Sequence, residues 1–125
     1  MRRPTRILHV EDDEDIATIV RLSLQLSDQI EIDVARSAPD ALAFLRTTGQ
    51  EPDIVLLDVQ LGADSGLELL EQIRRMKPLL PVVLMTASVT DEQRRSYRDA
   101  GASGLIPKPF DPLQLADKIA AFRRD

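Results

Sequence analysis

Five residues whose types could move a phosphoryl group lie close behind apolar runs of the sequence. In chain order they are Glu11, Asp12, Asp58, Thr86 and Lys108. Three carboxylates that converge on one site repel one another and have raised pKa values unless a cation neutralises them. Hard oxygen ligands, in a chain without cysteine, favour Mg²⁺. A divalent cation, an ammonium and a hydroxyl around a carboxylate suit phosphoryl transfer, because that chemistry depends on positioning and charge neutralisation.

Asp58 is the predicted nucleophile, since a carboxylate can form an acyl phosphate. The segment DIVLLD places it at the end of the most apolar, and hence most central, predicted strand. An Asp that merely begins a loop is the alternative, but a carboxylate facing other acids has the perturbed environment that is typical of functional sites. Taken alone, Thr86 is typical of a strand and Lys108 of a surface, whereas together with Asp58 they favour a site.

The elements that must position these residues begin with continuous apolar runs. Such runs indicate strands that are covered on both faces of a parallel sheet. They span residues 7–10, 54–57, 82–85 and, more briefly, 104–106. A fifth segment, residues 30–35, alternates apolar with acidic residues and predicts an edge strand with one partly wet face.

Between these strands, apolar residues recur with helical spacing, and several of these segments begin with a helix start signal. Capping patterns precede three predicted helices: Ser65 with Glu68, Thr90 with Gln93, and Asp111 with Pro112. The first, third and last helices have apolar stripes, formed by Ile16, Ile19 and Val20, by Leu69, Leu70, Ile73 and Met76, and by Leu115, Ile119 and Phe122. Left-handed backbone is expected at two helix ends, at Gly49 and Gly101.

Strands and helices alternate five times with short connections, and such a pattern closes as right-handed crossovers around a parallel sheet. We therefore predict a doubly wound α/β fold with helices on both faces of the sheet. The length predicts a single domain, residues 1–125. In such folds ligands bind outside the carboxyl ends of the strands, so the five candidate residues are expected to meet there.

Charge and composition exclude several classes of function. Of the 21 acidic residues, five stand in a row from Glu11 to Asp15, so the rest equal the 16 basic residues in number. With no basic stripe, direct binding of nucleic acid is disfavoured. The absence of cysteine excludes disulfides and thiolate metal sites. The first ten residues match neither a signal peptide nor a membrane span, so a cytoplasmic location without membrane contact is expected.

The order and spacing of these motifs resemble the receiver domain of two-component response regulators, of the single-domain, chemotaxis-regulator-like kind. The segments that carry the resemblance are ILHVEDD, PDIVLLD, Gly66, PVVLMTA and GASGLIPKPF. They cover essentially the whole chain. The resemblance implies a flavodoxin-like sheet with strand order 2-1-3-4-5 and five helices.

The same resemblance implies a metal site in which Glu11 and Asp12 form an acidic pair. Asp12 would be the direct Mg²⁺ ligand, with Asp58 and the backbone carbonyl of Gln60 completing the ligands that the protein supplies. Mg²⁺ would be the cofactor.

It also implies a partner and a switch. Asp58 would accept a phosphoryl group from a phosphohistidine, on a sensor histidine kinase or a histidine phosphotransfer protein. Thr86 and Lys108 would contact the phosphoryl oxygens, and the Lys108–Pro109 peptide would be cis. Phosphorylation would shift the populations of two conformations and so signal to a downstream protein, from a monomer or weak dimer.

Two positions depart from the family pattern. Leu105 occupies the place of a Tyr or Phe that, in the family, moves inward with the Thr hydroxyl, so that movement is in doubt here. Gly62 occupies the place of the usual Pro in the loop after the acceptor. Ser88 is small and would leave room for an attacking water.

Two other functions are alternatives to a phosphoacceptor. A phosphorylation-independent interaction module is the alternative, and the complete set of site residues argues against it. A phosphohydrolase with an Asp nucleophile usually needs a second Asp two residues on, where this chain has Gln60. Gln cannot act as that general acid, so no turnover of an exogenous substrate is expected.

Three further features have plainer interpretations. Residues 13–15 are expected to begin a helix, where acids favour the positive end of the dipole. His9, the sole histidine, is expected to be a packed, hydrogen-bonded core residue rather than a ligand. Three arginines of the fourth helix predict either a solvated face or a partner-docking face: Arg94, Arg95 and Arg98.

Overall fold

The computed structural model describes residues 3–47, 49, 51–87 and 90–123. Within them the strands are β1 (Thr5–Val10), β2 (Ile30–Ala35), β3 (Ile54–Asp58), β4 (Gln60–Leu61), β5 (Asp64–Ser65), β6 (Val82–Thr86) and β7 (Gly104–Pro107). Five strands form one parallel sheet in the order β2-β1-β3-β6-β7, while β4 and β5 pair as a short antiparallel hairpin. Without the hairpin, this is the predicted order 2-1-3-4-5.

Helices connect the strands on both faces of the sheet. They are α1 (Glu14–Leu24), α2 (Ala38–Arg46), α3 (Gly66–Met76), α4 (Asp91–Asp99) and α5 (Leu115–Ala120). One core cluster lies between the sheet and α1 and α5, and the other between the sheet and α2, α3 and α4. The predicted doubly wound fold is therefore confirmed. In the part of the chain that the structure describes, no helix has the length and apolar character needed to cross a membrane.

The continuous apolar runs form the centre of the sheet. Every residue of β3 and of β6 is buried. Successive side chains of a strand point to opposite faces, so Leu56 packs in the cluster of α1 and α5 and Leu57 in the other. β2 lies at an edge of the sheet with most of its residues at least partly exposed, as its alternating pattern predicted. The strand that ends in Asp58 is thus held in the buried centre.

Most helix starts follow the sequence signals. The carboxylate of Asp13 accepts hydrogen bonds from two backbone N–H groups and caps α1, which agrees with the prediction for residues 13–15. The Ser65 hydroxyl accepts from the N–H of Glu68 at the start of α3. Thr90 and Gln93 form a complete capping box at α4. These caps satisfy N–H groups that a helix leaves without intrahelical partners.

Two predictions about the helices are wrong. α5 begins at Leu115 rather than after Asp111, because the Asp111 carboxylate accepts a hydrogen bond from the N–H of Leu113 and holds a turn ahead of the helix. Ile19 was placed in the core stripe of α1 but is 51% exposed, whereas Val20 is fully buried. Neighbouring residues of a helix point about 100° apart, so only one of the two faces the sheet.

Positive φ angles occur, among the described residues, at Gly49 (88°), Gly62 (57°) and Gly101 (110°). Gly49 and Gly101 follow α2 and α4, so the left-handed backbone expected at those helix ends is confirmed. Gly62 lies in the turn between β4 and β5, beside the candidate site.

Arg74 ties two loops together at the edge of the sheet where the strands begin. From α3, its Nη1 donates to the carbonyl oxygens of Pro78 (2.9 Å) and Leu80 (2.7 Å) ahead of β6. Its Nη2 donates to the carbonyl oxygen of Gly101 (2.6 Å) ahead of β7. One guanidinium therefore joins the loops that lead into two neighbouring strands.

Asp53, just before β3, joins both ends of the described chain at the same edge. Its carboxylate accepts from both Nη atoms of Arg3 (2.6 and 2.8 Å) and from the backbone N–H of Arg6 (2.8 Å). Arg123, which follows α5, lies 4.0 Å from it. Burial alone would raise the pKa of Asp53, but these hydrogen bonds and arginine charges outweigh burial and lower the pKa below its ordinary value.

Candidate functional site

Asp58 ends β3 as a buried residue, 3% exposed, whose two carboxylate oxygens have separate partners. Oδ2 forms an ion pair with Nζ of Lys108, and Oδ1 accepts a 2.9 Å hydrogen bond from the backbone N–H of Gln60. A buried carboxylate needs such partners, because removing an unpaired charge from water is costly. The structure therefore brings Asp58 and Lys108 together across 50 residues of sequence.

The backbone at Asp58 is packed against the first residue of α3. The N–H of Gly66 donates a 3.1 Å hydrogen bond to the carbonyl oxygen of Val59. A Cβ on Gly66 would lie 2.5 Å from the carbonyl oxygen of Asp58 and 2.6 Å from that of Val59. Only glycine lets α3 approach the end of β3 this closely.

β6 and β7 bring the other two predicted contacts of a phosphoryl group to the same edge. Thr86 is buried at the last position of β6, the neighbour of β3, where Asp58 pairs with Met85. Lys108 follows β7, and its N–H donates to the carbonyl oxygen of Thr86 at 2.8 Å. The Lys108–Pro109 peptide is cis, as the resemblance implied.

Glu11 is a buried acid beside Asp58. It is 2% exposed, and its Oε2 accepts from the N–H of Asp13 at 3.3 Å. Its Oε1 is buried without a hydrogen-bond partner among the residues that the structure describes. Burial, followed by a hydrogen bond with the Asp58 side chain and by the charge of Asp58, raises the pKa of Glu11 to about 8. A buried oxygen without a donor is suited to a cation or to water.

Asp12 lies at the open side of the site, where its carboxylate contacts the turn between β4 and β5. It is exposed, and its Oδ2 would lie 2.8 Å from a Cβ added to Gly62. The φ of +57° at Gly62 is also unavailable to proline. The glycine in place of the usual proline thus has a physical reason, since this turn needs both a left-handed φ and room for the carboxylate.

Two cavities meet at Asp58. The larger lies on the acidic side of the site and has a volume of about 590 Å³. It is lined by Glu11, Asp12, Asp13, Ile16, Asp58, Val59, Gln60, Gly62, Asp64 and Lys108. The smaller, about 130 Å³, is lined by Asp58, Val59, Gln60, Thr86, Ala87, Gln93, Tyr97 and Lys108. Asp58, Val59, Gln60 and Lys108 border both. The Asp58 carboxylate thus lies between an acidic compartment and one that contains Thr86.

The residues of the acidic compartment fit Mg²⁺. Across residues 3–47, 49, 51–87 and 90–123, no three acidic or histidine side chains lie close enough to bind a metal by themselves. Mg²⁺ does not require three, because it is usually held by one or two carboxylates and keeps several waters. The unpartnered Oε1 of Glu11 and the exposed carboxylate of Asp12, both bordering this compartment, supply hard oxygen donors for it.

His9 is buried in β1, as predicted, but the prediction that it forms a hydrogen bond is wrong. Neither ring nitrogen has a hydrogen-bond partner among the described residues. Burial lowers the pKa of His9 to about 4, while the Asp58 charge raises it and the Lys108 charge lowers it further. The imidazole is therefore neutral at pH 7 and packs as a core side chain.

One residue bordering the site was not found from the sequence. Tyr97, in α4, is 6% exposed and borders the smaller cavity with Asp58 and Thr86. The sequence signal for Tyr97 is weak: it is a single aromatic residue in a helix that is otherwise highly polar.

Leu105 packs against the same core cluster as Tyr97. Ser88, predicted near the phosphoryl group, lies outside the described residues.

Comparisons with known proteins agree on one family. Residues 7–120 match the family described as the response regulator receiver domain. The chain is 34% identical over 122 residues to the probable transcriptional regulatory protein TcrX of Mycobacterium tuberculosis, covering 98% of this chain and 51% of that protein. It is 29% identical over 119 residues to the alkaline phosphatase synthesis transcriptional regulatory protein PhoP of Bacillus subtilis, covering 95% and 48%. The chain thus spans about half the length of these curated relatives.

The fold is also similar to solved structures. The response regulator receiver domain protein (CheY-like) of Methanospirillum hungatei JF-1 superposes with a TM-score of 0.82. Its sequence is 29% identical, and the match covers 94% of this chain and 92% of that one.

Proposed function

Because the chain belongs to the response regulator receiver domain family of two-component systems, we propose that it accepts a phosphoryl group on Asp58. One observation carries the proposal. The buried Asp58 carboxylate has Lys108 on one oxygen and the Gln60 N–H on the other, at the strand ends where Thr86 and the acids also lie. A fixed carboxylate beside a cation and a hydroxyl is suited to accept and stabilise a phosphoryl group.

In the proposed reaction, a carboxylate oxygen of Asp58 attacks the phosphorus of a phosphohistidine on a partner. A phosphorus–oxygen bond forms as the phosphorus–nitrogen bond breaks, and its electron pair returns to the imidazole of the partner. The Lys108 ammonium and the Thr86 hydroxyl contact the transferred oxygens. Lys108, now paired with Asp58 itself, neutralises the negative charge that the phosphoryl group brings.

Mg²⁺ is the proposed cofactor. Asp12, Asp58 and the backbone carbonyl of Gln60 would hold it, with Glu11 as the second member of the acidic pair. When bound, the cation neutralises the carboxylates and the phosphoryl oxygens.

The proposed donor is a sensor histidine kinase or a histidine phosphotransfer protein, and the proposed target is a downstream protein. Phosphorylation shifts the populations of two conformations rather than driving turnover of an exogenous substrate. The exposed arginines of α4 remain a candidate docking face: Arg94, Arg95 and Arg98. We further propose a cytoplasmic receiver, one domain over residues 1–125, that acts as a monomer or weak dimer without direct contact with nucleic acid or membrane.

Phosphorylation of the purified protein by acetyl phosphate and Mg²⁺ tests this function. Intact-mass measurement should show one added phosphoryl group on the wild type and on Asp33→Asn, a matched control because Asp33 is an exposed acid of β2. Asp58→Asn should remain unlabelled, and chelation of Mg²⁺ should suppress labelling. A labelled Asp58→Asn protein would overturn the assignment of the acceptor. An unlabelled wild type would instead favour an interaction module that works without phosphorylation.

A further inference from the structure

The smaller cavity at Asp58 has an aromatic residue on the side of α4. Tyr97 borders it from α4, is 6% exposed, and belongs to the core cluster that contains Leu57 and Leu84. It is the only tyrosine of the chain, which has no tryptophan. A side chain packed in this cluster has little freedom to leave, so it limits the cavity on that side.

The proposed phosphoryl group has to enter this cavity to reach Thr86. Thr86 borders the smaller cavity and is absent from the lining of the larger one, whereas Lys108 borders both. A phosphoryl group in contact with both residues therefore lies on the Tyr97 side of Asp58. At about 130 Å³ the cavity has room for water as well as for phosphoryl oxygens.

The other residue that α4 contributes is already engaged. The side-chain oxygen of Gln93 accepts a hydrogen bond from the backbone N–H of Thr90, and the backbone N–H of Gln93 donates to the Thr90 hydroxyl in the capping box. Ala87, the remaining neighbour in the lining, is small and exposed. Tyr97 is thus the one large buried side chain that α4 places beside the acceptor.

We propose that Tyr97 is a positioning residue that sets the lifetime of the phosphoryl group on Asp58 by limiting the room for water. This inference rests on the proposed function. In hydrolysis, a water oxygen bonds to phosphorus as the bond from phosphorus to the Asp58 oxygen breaks. The electron pair returns to the carboxylate, and the water proton leaves with inorganic phosphate or to solvent. A smaller side chain at position 97 opens space beside Thr86 for that water.

The first test measures the decay of the phosphoryl group after acetyl phosphate is removed, at constant Mg²⁺. Tyr97→Ala should lose it about tenfold faster than the wild type, a barrier lower by about 1.4 kcal/mol. Tyr97→Phe keeps the ring and should decay within about twofold of the wild type. Ser96→Ala, at an exposed neighbouring position of α4, is the matched control and should match the wild type. A Tyr97→Ala lifetime equal to that of the wild type would overturn the proposal.

A second measurement uses the wild type and does not depend on the folding of a variant. Because the chain has one tyrosine and no tryptophan, its tyrosine emission reports on Tyr97 alone. Mg²⁺ with beryllofluoride, a phosphoryl analogue, should change that emission in the wild type and leave it unchanged in Asp58→Asn. Unchanged wild-type emission, in a protein whose mass shows phosphorylation, would sink the role of Tyr97 and leave the proposed function standing. Absence of phosphorylation would sink the function itself.

Discussion

Replacing Gly66 by alanine tests whether α3 positions Asp58, the proposed acceptor, through direct contact with the backbone of β3. Alanine is a better helix former than glycine by about 1 kcal/mol, so helix propensity alone predicts a more stable protein. The structure predicts the opposite sign. The new Cβ would lie 2.5 Å from the carbonyl oxygen of Asp58, whereas real Cβ atoms do not approach closer than 3.0 Å. The end of β3 or the start of α3 must therefore move.

The size of the effect follows from that overlap. The two backbones must separate by about half an ångström, and forced shifts of this kind in packed regions cost about 1–3 kcal/mol of unfolding free energy. Asp58 moves with its own carbonyl, and displacements of about 1 Å at a reacting group cost up to about a hundredfold in rate. For a shift of about half an ångström, we therefore expect Gly66→Ala to lower the rate of labelling by acetyl phosphate by about tenfold.

Urea denaturation gives the stability, and intact-mass measurement over time gives the labelling rate. Gly49→Ala is the control, because Gly49 also has an unusual backbone but a Cβ there would meet no atom of the described residues within 4 Å. The control should lose about 1–2 kcal/mol through its left-handed φ and keep the wild-type labelling rate. If Gly66→Ala were as stable as the wild type and labelled equally fast, the contact would not position Asp58.

Three other substitutions test separate features. Arg74→Met should lower the free energy of unfolding by about 2–4 kcal/mol through lost charged hydrogen bonds. Its exposed neighbour Arg75→Met should change it by under about 0.5 kcal/mol, and equal urea midpoints for both variants would contradict this. Asp53→Asn should be less stable than the wild type above about pH 4. The difference should shrink as the pH falls further, since the folded pKa of Asp53 lies below its ordinary value of 3.8 and the ion pair is lost on protonation. A difference in urea midpoint that does not vary with pH would refute that account. Gly62→Pro should lower the free energy of unfolding by more than about 1 kcal/mol, because proline cannot adopt a φ of +57°. It should also slow labelling, because the distorted turn contacts Asp12. A melting temperature equal to that of the wild type would refute this prediction.

Much of the fold and of the site follows from local patterns. Continuous apolar runs mark the buried parallel strands, and the residues behind them lie at the carboxyl edge because all parallel strands end there. The prediction that Asp58, Thr86 and Lys108 lie close together needed only this rule. Caps at Ser65 and Thr90 were also predictable, because a cap involves residues three positions apart.

The errors arise where a local signal had more than one way to be satisfied. Asp111 can accept a hydrogen bond in a turn as well as at a helix start, and in the fold it accepts in a turn while α5 begins at the buried Leu115. Ile19 and Val20 are both strongly apolar, so residue type does not tell which of them is buried. The orientation of α1 on the sheet decides it. A hydrogen bond is typical of a buried histidine, but both ring nitrogens of His9 are buried without a partner among the described residues.

By itself, the sequence determined the order of strands and helices along the chain, the residues at the strand ends, and the concentration of acids behind the first strand. Those properties depend on periodicity and residue type within short segments. Only the tertiary structure decided that Gly66 lies against the Asp58 backbone, that Gly62 makes room for Asp12, and that Tyr97 borders the smaller cavity at Asp58. The reason is geometric. These contacts join residues on different elements, and their distances depend on how closely helices and loops pack on the sheet, which no local pattern encodes.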